Sequence, residues 1–104
     1  MTASLPPGYK STSILIKGRV QGVWFRAWTS ESARKLGLAG RVRNLPDGDV
    51  EAVFVGPSNA VDEIVTACRS GPPLARVDDI EIREIADEKA AELLGYEFNH
   101  HPTG

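Results

Sequence analysis

The chain has 104 residues, 41% of them hydrophobic and 25% charged, with a formal net charge of −2 at pH 7 and a pI near 5.6. That length suits one domain with one modest core, so any active site should be shallow and lean on backbone groups. The acidic balance disfavours a nucleic-acid partner. The single Cys68 excludes an internal disulfide or a cysteine-built zinc site, and the start, Met1 to Ser11, holds no apolar run of the length expected of a signal peptide or membrane span.

Residues 1–11, which include Pro6-Pro7-Gly8, read as a flexible N-terminal arm, and residues 12–100 as a single domain. From Thr12 to Val20 the sequence alternates, with Ile14 and Ile16 on one side and Leu15 and Lys17 on the other, the pattern of a half-buried strand. After Gly22 the period changes. Phe25, Trp28 or Thr29, Ala33 and Leu36 recur at helical spacing; Glu31 and Lys35 form an i,i+4 pair, and Gly37 stands where a helix stops.

Gly40 to Asn44 and Val50 to Val55 read as two strands joined through Pro46-Asp47-Gly48, a run with turn chemistry. Ser58 is the expected cap of a second helix, whose buried stripe is Val61, Ile64, Val65 and Cys68 and whose end is Gly71-Pro72-Pro73. Val77 to Ile85 reads as a fourth strand with Ile80 and Ile82 facing inward, and Asp78-Asp79 marks a bulge. Asp87 to Leu94 reads as a helical turn, and Tyr96 to Asn99 as a short edge strand. The order strand, helix, strand, strand, helix, strand predicts an α+β fold. It is the ferredoxin-like βαββαβ sandwich, a four-stranded antiparallel sheet with two helices on one face. Many functions share this fold, so it decides none of them.

Chemistry concentrates in Gly18-Arg19-Val20-Gln21-Gly22-Val23-Trp24-Phe25-Arg26, between a strand end and a helix start. Amides in the first turn of a helix lack helical partners, and the macrodipole there favours an anion. Gly22 lets successive amides curl around an oxyanion. Each hydrogen bond to a charged group is worth about 1.5–3 kcal/mol, so several can hold a phosphoryl group without a metal. Arg26 is electrostatically misplaced at a helix N-terminus unless an anion sits between them. On position alone, an arginine swinging into solvent is an equal alternative. Lys17, Arg19, Arg26, Arg41 and Arg43 fall close together in sequence, which suggests one basic end or ordinary surface charge. No Gly-Lys-Ser/Thr follows the loop, so it is not a nucleotide P-loop.

The run Gly-Arg-Val-Gln-Gly-Val-x-Phe-Arg resembles the acylphosphatase family. So do Leu36-Gly37-Leu38, Gly40-x-Val42-x-Asn44, Asp47-Gly48-x-Val50 and Gly71-Pro72-Pro73-x-Ala75-Arg76-Val77. The resemblance spans roughly residues 12 to 99. It implies a hydrolase that cleaves the carboxyl-phosphate bond of small acyl phosphates to carboxylate and inorganic phosphate, without metal or cofactor. The loop amides of Arg19, Val20, Gln21, Gly22 and Val23, with the Arg26 guanidinium, would bind the phosphoryl oxygens. Asn44 would position the attacking water, as a neutral side chain whose carbonyl accepts a proton while its amide donates. A good leaving group needs little acid catalysis, so positioning and charge stabilisation suffice. A cytoplasmic monomer is expected, with neither nucleic acid nor membrane as partner.

Three residues depart from the family's pattern: Trp24, read as packing on the sheet edge; Arg41, which would make the site's flank more basic; and Leu45, where many members place threonine. Leu45 leaves open an alternative, a catalytically weak phosphate- or anion-binding regulatory domain of the same fold. An RNA-binding module shares the strand order but would need paired aromatics on its central strands. His100 and His101 read as surface residues of a tail, Cys68 as a buried inert thiol, and Asp47 as a turn former. Asn44 lies just before a turn, so a local hydrogen-bonding role is its structural alternative.

Overall fold

The computed structural model describes residues 5–94 and 98–101, the last three as backbone. In chain order the elements are β1 (Tyr9–Arg19), α1 (Phe25–Lys35), β2 (Ala39–Asn44), β3 (Val50–Pro57), α2 (Ser58–Cys68), β4 (Arg76–Arg83), α3 (Asp87–Leu93) and β5 (Asn99–His101). The sheet order is β4-β1-β3-β2-β5. The β1–β3, β1–β4 and β2–β3 pairs are antiparallel, so the ferredoxin-like core is as the sequence predicts. Beyond that core, β5 adds a fifth strand, parallel to β2.

Pairing moves two boundaries. Tyr9, Lys10 and Ser11 stand opposite Pro57, Gly56 and Val55, so the strand begins inside the span expected to be a flexible arm. Within that same span Leu5 packs against a hydrophobic cluster. Tyr96 and Glu97 of the expected edge strand lie outside the described residues, and the strand itself is Asn99–His101. The backbone of His100 and His101 is thus sheet, opposite Val42 and Arg43, rather than tail.

The main core lies between α1, α2 and one sheet face. Ile14, Ile16, Val42, Ala52 and Phe54 meet Phe25, Ala33, Val61, Ile64 and Cys68 there. From α1 the buried residues Phe25, Thr29 and Ala33 are four apart, one stripe of the helix. The helix ends in a Schellman arrangement: Leu38 N–H donates to the Ala33 carbonyl at 2.9 Å and Gly37 N–H to that of Arg34 at 3.0 Å. Gly37 has φ 71°, where glycine avoids the Cβ penalty. Ser58 opens α2 as its first residue. The cap position is Pro57, which has no polar side chain to cap with, and the Ser58 N–H is given instead to the Gly8 carbonyl at 2.9 Å.

On the opposite sheet face α3 sets Ala90 and Leu93 against Ala39, Val53 and Val55. In β4 the register shifts between Lys17 and Gly18, which stand opposite Asp79 and Val77, leaving Asp78 as the extra residue of the expected bulge. Ile80 is buried, but Ile82 is 57% exposed rather than inward. The reason is coverage: β4 is an edge strand, and α2 packs on β1 and β3.

Candidate functional site

Two antiparallel pairings through β3 make β1 and β2 parallel, so both end at the same edge of the molecule. The Arg19–Arg26 loop leaves one of those ends and Asn44 closes the other. Asn44, Val50, Ile16 and Ile80 form one cross-strand row. Asn44 therefore projects from the helix-covered face, the side on which the loop feeds α1.

Buried Val20 and Val23 anchor the loop in the core, while Gly22 and Trp24 stand exposed between and beside them. Gly22 has φ 74° and Trp24 φ 68°, whereas Gln21 and Val23 are not in the positive-φ region. Alternation of this kind turns successive amides toward one side, the geometry of an anion nest. Nothing lies within 4 Å of where a Gly22 Cβ would stand, so glycine serves the backbone conformation rather than a tight contact.

Trp24 occupies the N-cap of α1 without a side-chain capping bond, and its carbonyl accepts from Trp28 N–H at 2.9 Å. A left-handed conformation costs an L-residue about 1–2 kcal/mol. Trp24 is 76% exposed, so it does not pack on the sheet edge as its size suggests. Arg26 lies in the first turn of α1, which contains no acidic residue, whereas Arg34 and Lys35 occupy the last turn, where cations suit the dipole.

Asn44 is 8% exposed. The hairpin beside it is held by other groups: Asp49 N–H donates to Asp47 Oδ1 at 3.0 Å, Gly48 N–H to the Leu45 carbonyl at 3.2 Å, and Leu45 N–H to the Asp49 carbonyl at 2.8 Å. Asp47 thus does the turn work expected of it. The Asn44 carboxamide makes no hydrogen bond among the described residues, which leaves it available to another partner.

Sequence reasoning assigned Gln21 only through its backbone. Its side chain crosses to the hairpin, where Nε2 donates to the Leu45 carbonyl at 2.8 Å and the Asp49 carbonyl at 2.9 Å. Lys17 reinforces the join with an ion pair to Asp49, 2.9 Å long, which raises the lysine pKa from 10.5, first through the hydrogen bond and then through the carboxylate charge. Only the position of glutamine inside the loop motif hinted at this role.

The basic end predicted from sequence is divided. Lys17 pairs with Asp49, Arg43 with Glu51 at 2.9 Å, and strand alternation turns Lys17, Arg41 and Arg43 toward the face opposite Asn44. Arg41 therefore does not flank the loop on the helix side. Arg26 lies in the first turn of the helix that the loop feeds, at the end nearest the phosphoryl loop. Cys68 is fully buried in the core, and desolvation pushes its thiol from 9.0 up to about 12. No helix among the described residues is long and apolar enough to cross a membrane.

The sequence profile of the acylphosphatase family matches residues 12–94. An acylphosphatase of Rhizorhabdus wittichii is 50% identical over 103 residues, covering 99% of both chains. One of Rhodospirillum rubrum is 56% identical over 77 residues, 74% of this chain and 85% of the relative. The crystal structure of the Bacillus subtilis acylphosphatase superposes with a TM-score of 0.77 at 38% identity, covering 88% of this chain and 97% of that one.

Proposed function

Because the chain belongs to the acylphosphatase family, we infer that it is a hydrolase of acyl phosphates whose working parts are the Arg19–Val23 amides, Arg26 and Asn44. The observation that carries this assignment is the placement of Asn44. It is a nearly buried amide, unused by the turn beside it, at the sheet end from which the loop departs.

In this reading the phosphoryl oxygens lie against the loop amides and the guanidinium of Arg26, whose planar fork suits two oxygens at once. Positive charge set against the equatorial oxygens, from the amides and the guanidinium, offsets the negative charge that spreads over them in the transition state. Asn44 accepts a hydrogen bond from a water and holds it in line with the carboxylate leaving group. The P–O bond to the carboxylate breaks as the water oxygen bonds phosphorus, and the water's proton passes to a phosphoryl oxygen. Amides and one guanidinium supply the neutralisation in this scheme, so it uses neither metal nor cofactor. The products are a carboxylate and inorganic phosphate. We place the enzyme in the cytoplasm as a monomer acting on small acyl phosphates. The second reading is a weakly catalytic anion-binding domain: Leu45 brings no hydroxyl to Asn44, whereas the retained Arg26 and Asn44 speak for the enzyme.

Phosphate release from benzoyl phosphate in the presence of a chelator separates the two. Strong acceleration over buffer is expected. A rate equal to buffer, with phosphate still bound, would leave only the anion-binding domain.

A further inference from the structure

Trp24 is the described residue other than glycine that holds a left-handed backbone, and it is also the most exposed of the large apolar side chains. Neither packing nor capping accounts for it. The core takes in Val23, Phe25 and Trp28 around it but not Trp24 itself, and no side-chain bond caps the helix. If the backbone conformation were the whole requirement, glycine would meet it without strain, as Gly22 does two residues earlier. Strain in a bulky residue beside a reactive site points toward use of that side chain.

Its place in the chain narrows the use. The Trp24 Cα is one peptide, about 3.8 Å, from that of Val23, the last residue of the phosphoryl cradle. Two residues on is Arg26, and the Trp24 carbonyl is fixed to Trp28 N–H at 2.9 Å. The indole is thus tethered at the rim of the loop and open to solvent. An acyl phosphate seated by its phosphoryl group directs its organic half out of the cradle, where only the rim can meet it.

We propose that Trp24 is a specificity-determining residue whose indole face packs against the acyl group and favours substrates with flat or extended apolar acyl groups over acetyl phosphate. This rests on the hydrolase reading above. It names the substrate class that the phosphoryl cradle cannot select, since the cradle sees the same group in every acyl phosphate.

The test is the ratio of kcat/KM for benzoyl phosphate to that for acetyl phosphate in the wild type, Trp24→Gly and Trp24→Phe. Stacking of two rings gives a preference of roughly three- to tenfold beyond simple burial. Trp24→Gly should lower the ratio by about that factor, and Trp24→Phe should keep most of it, because a phenyl face still stacks. An unchanged ratio in Trp24→Gly, or equal loss in both variants, would overturn the proposal. Failure of the hydrolase reading is seen separately, as no turnover of either substrate by the wild type. In that case calorimetric binding of phenylphosphonate against methylphosphonate still reads the indole: the aryl preference should disappear in Trp24→Gly, and its persistence would refute the proposal.

Discussion

Gln21 and Leu45 are joined by a 2.8 Å hydrogen bond from the side-chain amide of one to the backbone carbonyl of the other, across 24 residues of sequence. The same amide reaches the Asp49 carbonyl, so one side chain ties the phosphoryl loop to the hairpin that follows Asn44. Replacing Gln21 by methionine keeps the length and removes both donors. The expected cost is about 1–2 kcal/mol of stability for the two lost bonds. A drop in kcat of about tenfold or more should accompany it as the two halves of the site drift apart. Urea unfolding and steady-state kinetics measure the two effects. Full kcat in this variant would show that the bridge is structural only.

Arg26→Ala and Asn44→Ala should fail differently. Without Asn44 the water loses its guide, and kcat is expected to fall by at least about a hundredfold while inhibition by inorganic phosphate persists. Without Arg26 the anion loses a charged donor, so phosphate inhibition should weaken along with the rate. If Asn44→Ala kept most of its rate, or Arg26→Ala its phosphate affinity, that residue's role would have to be reassigned.

Trp24→Gly should stabilise the fold. Relief of the left-handed backbone gains about 1–2 kcal/mol, and the extra freedom of glycine in the unfolded chain takes back about 0.5–1. A net gain of about 0.5–1 kcal/mol should appear as a higher urea midpoint. A lower midpoint would mean that the indole makes contacts that hold the native loop.

Stability should fall on the alkaline side in two stages. Burial raises the Cys68 thiol to about 12 from 9.0. Above pH 9 the unfolded chain therefore loses this proton while the folded chain keeps it, and stability drops by up to about 1.4 kcal/mol per pH unit. The Lys17 pKa is raised from 10.5 by Asp49, so its contribution is present below that pH and is lost as pH rises through the folded value. Cys68→Ala should flatten the curve from pH 9 to 10.5 and leave only the Lys17 part of the decline above that. At pH 8 the native thiol should resist a disulfide reagent that labels it at once in urea. Rapid native labelling would show that the helix opens locally.

The sequence made the core and the loop legible because both follow local rules. Ile14 and Ile16 alternate, Phe25, Thr29 and Ala33 keep helical spacing, and the loop residues are contiguous. Asn44 was placed by its family motif and by strand order. The misses involve partners far away in the chain. Gln21 bonds to carbonyls, which carry no residue signature. Tyr9 to Ser11 lack a clear hydrophobic alternation, yet they pair with the far end of β3. Ile82 alternates correctly with Ile80 and still lies exposed, because periodicity names a face without saying how far a helix covers it. Trp24 reads as packing by size, and only its surroundings show otherwise.

The bulge at Asp78 also affects how copies of this protein meet. As the outer strand beside β1, β4 offers a row of backbone groups to any passing strand, the route by which sheets join into aggregates. An extra residue breaks that row, and Arg76, Asp78, Asp79, Glu81 and Arg83 crowd it with charge of both signs. A second copy approaching along this edge would have to strip water from those charges and match a broken ladder. The irregularity that complicates the strand pattern thus works against edge-to-edge pairing of two sheets.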